Sequence, residues 1–406
     1  MMIIKIAWKN IWRNPTRSLV VILSVFLGLW SGIFMIAFSN GMNDQRTADQ
    51  LNNSIGHLKV SHPKFSEEKL TEYYIDKPDQ ILQSLEVNPA IKAITPRINV
   101  TGMASSSSGS FGVDIYGIIP EREKQVFELY KNVIEGAYLE GIKRNPILIG
   151  AKLAKRLNLK VRSKMVLTFQ NLEGDITSGA FRVAGIYQSN NSAFEETHVF
   201  APHSDLQRIL DVPETVFHQI ICKTQDYYQA PKIAETLENK VGSNQILAWN
   251  KIAPELAYLD EIMIYFFMIF MGVILLALSM GILNTMLMAV LERTRELGML
   301  MAIGMSRARI FIMIMIETIF LTCTALPIGL AFSWLSIYLT QYYGIDLGAV
   351  AEGFSSIGYS SLVRPSLDIH EYLVISGMVF TAALLSALYP AWKALQLKPA
   401  QAIRKI

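Results

Sequence analysis

Four stretches of the chain, residues 18–38, 262–291, 310–342 and 372–392, are nearly free of charge. The second holds no Asp, Glu, Lys or Arg, and the third holds only Glu317. A membrane span needs roughly 20 apolar residues, so the pattern predicts four transmembrane helices. The second stretch is longer than a span requires, because about 30 helical residues extend about 45 Å against a hydrocarbon core of roughly 30 Å. It either tilts or projects beyond the bilayer as a stalk. An apolar stripe at Leu256, Leu259 and Met263 continues upstream of it and favours the stalk. Met42, Ala48, Leu51 and Ile55 extend the first stretch in the same way.

Between the first two spans the periodicity changes. Alternation in 57–62, 93–104, 112–119, 165–170 and 181–187 predicts strands, and 78–86, 149–159, 204–210 and 231–240 read as helices. Residues 171–180 (NLEGDITSGA) read as a polar hairpin loop, and 105–110 (SSSSGS) as a flexible connection or loop tip. The expected fold is an α-helical membrane protein with four transmembrane helices and a large α+β extracytoplasmic (periplasmic) domain inserted between helices 1 and 2. In chain order it comprises a cytoplasmic interfacial helix (1–17), the first span and stalk (18–44), the periplasmic domain (45–258), the second span and stalk (259–290), a charged cytoplasmic helix (291–309), the third span (310–342), a short periplasmic loop (343–371), the fourth span (372–392) and a cytoplasmic tail (393–406). The periplasmic domain divides into a membrane-proximal part, 45–105 with 213–258, and a distal part, 106–212.

Composition fits a membrane protein: 51% of the 406 residues are hydrophobic and 17% are charged. The net charge of +3 is informative only by segment. Lys5, Lys9, Arg13 and Arg17 precede the first span, Arg293, Arg295, Arg307 and Arg309 lie between the second and third, and Lys393, Lys398, Arg404 and Lys405 follow the fourth. Only Glu292 and Glu296 oppose them in those flanks. Basic flanks mark the cytoplasmic side, which puts both termini inside. A cleaved signal peptide is the competing reading of the N-terminus, but the apolar run exceeds the roughly 7–15 residues of such a segment. Residues 1–17 read as an interfacial helix, with Lys5, Lys9 and Arg13 on one face and Ile4, Trp8, Ile11 and Trp12 on another, or as a plain basic flank. Cys222 and Cys323 fall in different environments and predict no disulfide.

The stretch LERTRELGMLMAIGMSRARI (291–310) combines charges of both signs with Leu291, Leu297, Leu300, Met301 and Ile303 as apolar contacts. Gly304 is placed to end a helix, and Ser306 to cap the next. Each span carries small residues four apart: Ser24, Gly28 and Gly32; Ala277, Gly281, Thr285 and Ala289; Ala325, Gly329 and Ser333; Ala383, Ala387 and Ala391. Such faces let helices approach closely, within one chain or against a second copy. Glu317 reads as a polar helix contact or as a proton relay. There is no Gly-Lys dipeptide, hence no Walker A loop, and no His-Glu-x-x-His. His57, His62, His198 and His203 read as surface histidines rather than a metal site. No catalytic constellation is evident, and nothing points to nucleic acid.

The motifs ERTRELGMLMAIGMSR (292–307), Glu317 followed by Gly329, the terminal YPAWKALQLKPAQAIR (389–404) and AWKNIWRNPTRS near the start resemble the FtsX-like permeases of ABC transporters, the MacB superfamily. The resemblance implies a dimeric four-span permease, paired with a second copy or a paralogue, whose ATPase is a separate chain. ATP and Mg would bind that partner, and no cofactor would bind this chain. It assigns Glu292, Arg295, Glu296, Gly298, Met299, Ala302 and Gly304 to a coupling helix seated on the ATPase, with movement passed to the periplasm, a process called mechanotransmission.

Within the family, TPR (95–97), GVDIYGIIP (112–120), IGAKL (149–153) and FRVAGIY (181–187) are similar to lipoprotein-releasing permeases of the Lol type. That implies lipoprotein cargo, a periplasmic carrier and an inner-membrane location. The segment matching the carrier-recruiting hook of such permeases, 171–180, lacks proline. The alternatives are a MacB-like exporter of peptides or amphiphiles, with an adaptor and outer-membrane channel, and a membrane-anchored regulator of a periplasmic enzyme. For lipoprotein release, acyl chains would enter from the membrane lipids between the first two spans, against Leu29, Trp30, Ile33 and Phe34 on one side and Ile264, Phe267, Met268 and Met271 on the other. Plain lipid-facing surface is the competing reading of those eight.

Overall fold

The computed structural model describes residues 2–348, 353, 359–360 and 362–396. The motif residues beyond 396, including the end of the terminal motif and most of the expected tail, lie outside it, as does much of the expected 343–371 loop. The chain divides into two compact units: 1–42 with 261–346 and 362–406, and 43–260 with 347–361.

The first unit is built from helices. Met2–Arg13 is followed by Pro15–Gln50, Pro254–Glu292, Thr294–Ala302, Arg307–Tyr343 and Ile369–Leu395. Four of these are long and apolar enough to cross a membrane. Lipid gives helices no hydrophobic reason to associate, so close packing of small residues must do it. The stripes are used in that way. Gly28 leaves room for Leu278, Gly32 for Met271 and Ile375, and Gly281 for Ser24, so the first long helix meets the second through its smallest face. Gly329 of the third long helix accommodates Leu29. Ala325, Ser333, Ala383, Ala387 and Ala391 are fully buried.

Away from the Met2–Arg13 end, a strap ties the fourth long helix to the first. The Ser366 N–H donates to the Ala37 carbonyl at 2.9 Å, and a side chain at Gly41 would run into the Arg364 carbonyl. Asp368 and Glu371 form a reciprocal capping box at the start of Ile369–Leu395. Asn40 Nδ2 donates to both Glu371 oxygens at 3.1 Å.

The second unit is a ten-stranded sheet. Its strands are β1 (Leu58–Ser61), β2 (Ile91–Ser106), β3 (Gly109–Ile118), β4 (Val133–Gly136), β5 (Pro146–Gly150), β6 (Lys164–Gln170), β7 (Ile176–Tyr187), β8 (His198–Pro202), β9 (Gln219–Thr224) and β10 (Gln245–Ala248). β2 pairs with β3, β3 with β8, β8 with β5, β5 with β7, β7 with β6, and β6 with β2 again. Six strands therefore close on themselves around a core that includes Ile98, Val113, Ile149, Leu167, Phe181 and Val183. The outer half of β2 leaves this circuit to pair with β9, which continues through β1 to β10. A second core lies there, and Leu51, just past the first long helix, and Leu256, near the start of the second, are both buried in it.

Two sequence expectations need correction. Residues 171–180 are not one loop: Gln170 pairs with Ile176, so the turn is only five residues and 176–180 is strand. Its small and polar residues 177–180, and an Ile176 left exposed, hid the strand. Residues 105–110 are likewise a paired hairpin, with Ser105 opposite Ser110 and Ser106 opposite Gly109. β4, β5, β8, β9 and β10 carried no recognised alternation. β5 is buried at every position, and a strand covered on both faces loses its period of two.

A buried ion pair, Arg97 of β2 with Glu123, ties the helix Pro120–Val126 to this sheet, with Arg97 also stacked 4.0 Å over Phe127. His57 and His203 are buried, not surface residues as the spacing suggested, and His218 is buried as well. His218 Nε2 donates to the Thr71 carbonyl and Nδ1 accepts from the Asn99 N–H, a neutral ring satisfied at both nitrogens. Burial pushes His57 and His218 down to about 4. The unfolded chain, with histidines near 6.5, binds more protons between those values, so this unit loses stability as pH falls from about 6.5 to about 4. Thermal unfolding of the purified protein followed across that range should show the loss, and His218→Gln should make it smaller.

Candidate functional site

The charged stretch between the second and third long helices adopts a defined shape. Pro254–Glu292 ends, Arg293 sits at φ −92° and ψ 13°, and a short helix runs from Thr294 to Ala302. Gly304, at φ +102°, then turns the chain. The Gly304 N–H donates to the Met301 carbonyl and the Met305 N–H to the Leu300 carbonyl, the paired bonds of a Schellman stop with glycine at its left-handed position. Ser306 stands at the N-cap of Arg307–Tyr343, but its side chain makes no capping bond. The short helix is therefore narrower than 291–309. Glu292 belongs to the preceding long helix, Gly304 lies past the short one, and Arg307 and Arg309 open the next.

One face of this helix is anchored. Leu297 and Gly298 are buried, with Leu300 and Met301 packed at the margin of the helical core. The opposite face is open. Met299 is 44% exposed and Ile303 85%, and Arg295 and Ala302 are exposed beside them. Leu291 and Ile303, expected as apolar contacts, are instead surface.

Three ion pairs hold the element in place. Arg13 of the N-terminal helix pairs with Glu296, and Arg17 with Glu292. The hydrogen bonds it donates to Glu296 raise the Arg13 guanidinium above its ordinary value. Both pairs are at least partly exposed, so solvent screens them and they contribute little. The third is buried: Arg293 Nη1 lies 3.1 and 3.2 Å from the two Glu317 oxygens. Arg293 Nη2 also donates to the Asn10 carbonyl at 3.1 Å. Glu317, noticed in the sequence as the one acid within a span, thus has its partner at the start of the charged stretch. The sequence shows Arg293 only as one of four basic residues in the flank, although an intramembrane carboxylate demands a cation nearby. The N-terminal helix completes the arrangement, with Ala7 and Ile11 buried and Trp8 edge-on to Phe320 at 5.4 Å.

The eight residues expected along an acyl route separate. Leu29, Ile33 and Met271 are buried inside the bundle. Trp30 turns to the third long helix, donating to Ser336 Oγ at 3.2 Å and meeting Phe332, and Phe34 stacks beside it. The second long helix instead meets the first through glycines, so no apolar cleft separates them at Gly28 and Gly32. Ile264 and Met268 are exposed. With Phe267 and Met271 they line a groove of about 290 Å³ that also includes Ile36, Ile375, Met378, His370 and Glu371.

An alanine at position 304 would force a left-handed backbone, at a cost of about 1–2 kcal/mol. Gly304→Ala should speed amide exchange across 299–306 about tenfold in hydrogen-exchange mass spectrometry, while Glu296→Gln should leave it within about twofold.

Residues 18–240 match the MacB-like periplasmic core domain family, and 268–399 match the FtsX-like permease C-terminal family. The lipoprotein-releasing system transmembrane protein LolC of Neisseria meningitidis is 22% identical over 97% of this chain and 95% of its own length. LolE of Haemophilus influenzae is 22% identical over 96% and 95%. The macrolide export ATP-binding/permease protein MacB of Photorhabdus laumondii is 22% identical over 82% of this chain and 52% of its own length.

Proposed function

This chain belongs to the FtsX-like, MacB-type family of ABC transporter permeases, and we propose that it is the permease subunit that turns ATP hydrolysis by a partner ATPase into movement of its α+β unit. The observation that carries this reading is the open face of Thr294–Ala302. A short helix braced by ion pairs presents Met299, Ala302 and Ile303 to solvent between Arg295 and Glu296. Exposed apolar residues among charges of both signs suit a protein partner, whereas a helix lying on lipid is usually basic on its polar face. Glu292 and Gly304 act at the margins of this surface, and Gly298 lets the helix sit close to its support. ATP and Mg belong to the partner.

In this reading the protein is a multi-pass protein of the bacterial inner membrane with both termini in the cytoplasm, working as a dimer with a second copy or a paralogue. The α+β unit stands in the periplasm between the first two spans. Lipoprotein release is the favoured activity, because the likeness to LolC and LolE extends over nearly the whole of both chains. Acyl chains would then use the groove at Ile264, Phe267 and Met268, and the β6–β7 turn would be where a periplasmic carrier is met. The match of 18–240 to a MacB-like core supports a second reading, export of peptides or amphiphiles through an adaptor.

Ile303→Glu and Met299→Glu should reduce co-purification of the ATPase at least tenfold without lowering the yield of the permease, since neither side chain supports the fold. Triacylated lipoproteins enriched by mass spectrometry with a hydrolysis-dead ATPase would support the first cargo. An adaptor without lipoproteins would support the second.

A further inference from the structure

Arg293 lies where a single side chain joins three helices of the first unit. It occupies the break between the second long helix and the short one. Its guanidinium reaches Glu317 on the third long helix and the Asn10 carbonyl on the N-terminal helix. Both side chains of the ion pair are about nine-tenths buried, and a buried charge that loses its partner is strongly unfavourable. The break would otherwise be a hinge, able to absorb a displacement of the short helix by bending. With Arg293 clamped to Glu317, bending there would pull apart a buried ion pair. Beside the clamp is a cavity of about 470 Å³, lined by Asn10, Arg13, Arg293, Glu296, Leu297 and Glu317 among others. The short helix and the third long helix face one another across this space, and the clamp is the polar link that bridges it.

We propose that Arg293 is a positioning residue that locks the short helix to the third long helix, so that a displacement of the short helix reaches Glu317's helix directly rather than only through the second. The inference rests on the reading of Thr294–Ala302 as an ATPase-docking helix. It assigns the third helix an active part in transmission, with the N-terminal helix as the backing that holds the guanidinium in place.

The chain supplies its own reporter. Cys323 lies exposed on the third long helix, about two turns beyond Glu317, while Cys222 is buried in β9. A spin label on Cys323 of the purified permease–ATPase complex would be compared with and without a nonhydrolysable ATP analogue. Wild-type complex should show a nucleotide-dependent spectral change. Arg293→Gln and Glu317→Gln, which keep polar side chains but remove a charge, should reduce that change at least fivefold while ATPase binding stays within twofold. Arg293→Lys, which keeps the charge, should retain at least half of it. The proposal is overturned if the Gln variants respond like wild type. It is equally overturned if they lose ATPase binding in step with the response, or if Arg293→Lys fails as completely as Arg293→Gln, because the pair would then only shape the fold or the docking face. A wild-type complex that binds ATPase but leaves Cys323 silent also overturns it, with the docking reading intact. Failure of the wild-type chain to bind any ATPase removes the docking reading, and the joint with it.

Discussion

A guanidinium and a carboxylate removed from water must face one another, and at positions 293 and 317 this requirement organises the end of the helical unit. Neither side chain has an acceptable alternative once buried. The second long helix has to stop at Glu292 so that Arg293 can turn inward, and the N-terminal helix has to lie close enough for the Asn10 carbonyl to take the remaining donor. What is left facing outward is then determined: the side of Thr294–Ala302 that cannot be used for anchoring. The same geometry that satisfies the buried charge therefore leaves Met299, Ala302 and Ile303 exposed beside Arg295.

The rest of the bundle depends on the absence of side chains more than on their presence. Gly28 and Gly32 bring the first and second long helices together, and Gly329 receives Leu29. Such contacts tolerate little sliding, because a shift of one turn would put Leu278 or Met271 against a larger residue. The strap through Ser366, Asp368 and Glu371 adds directional hydrogen bonds to the first and fourth helices. Much of the second long helix is left uncovered, with Ile262, Tyr265, Ile269, Val273 and Leu276 more than half exposed. That surface suits lipid or a second copy of the chain.

Much of this was legible in the sequence, and the failures have physical causes. Uncharged runs identify the long helices because lipid tolerates so few charges, and Gly304 marked the end of the short helix because few other residues accept its backbone. β6, whose burial alternates along the strand, showed itself by the same alternation in sequence, and β2 did so because polar Thr95, Arg97 and Asn99 alternate with apolar residues even though all are buried. β5 did not, because packing on both faces leaves it without a polar position, and β9 did not, because its apolar run 220–222 is too short to show a period. The direction of Leu29, Trp30 and Ile33 was equally hidden: a helix inside a membrane is apolar all round, so hydrophobicity cannot tell a lipid-facing side from a protein-facing one. Arg293 was lost among its neighbours for the opposite reason. In a run of charges, nothing in the residue type separates the buried arginine from the exposed ones, and only the search for a counter-ion to Glu317 could have found it.

The closed circuit of strands limits how the sheet can be recognised. Main-chain pairing with another polypeptide needs an unpaired strand margin, and a closed circuit leaves few. Among the described residues β4 and β10, four residues apiece, end the sheet. Inside the circuit, 109–113 of β3 and 176–181 of β7 are paired on one side alone, where the two hairpins run past their neighbours. Elsewhere the ring can be read only through its side chains and turns, so its loops can change without disturbing the strands beneath.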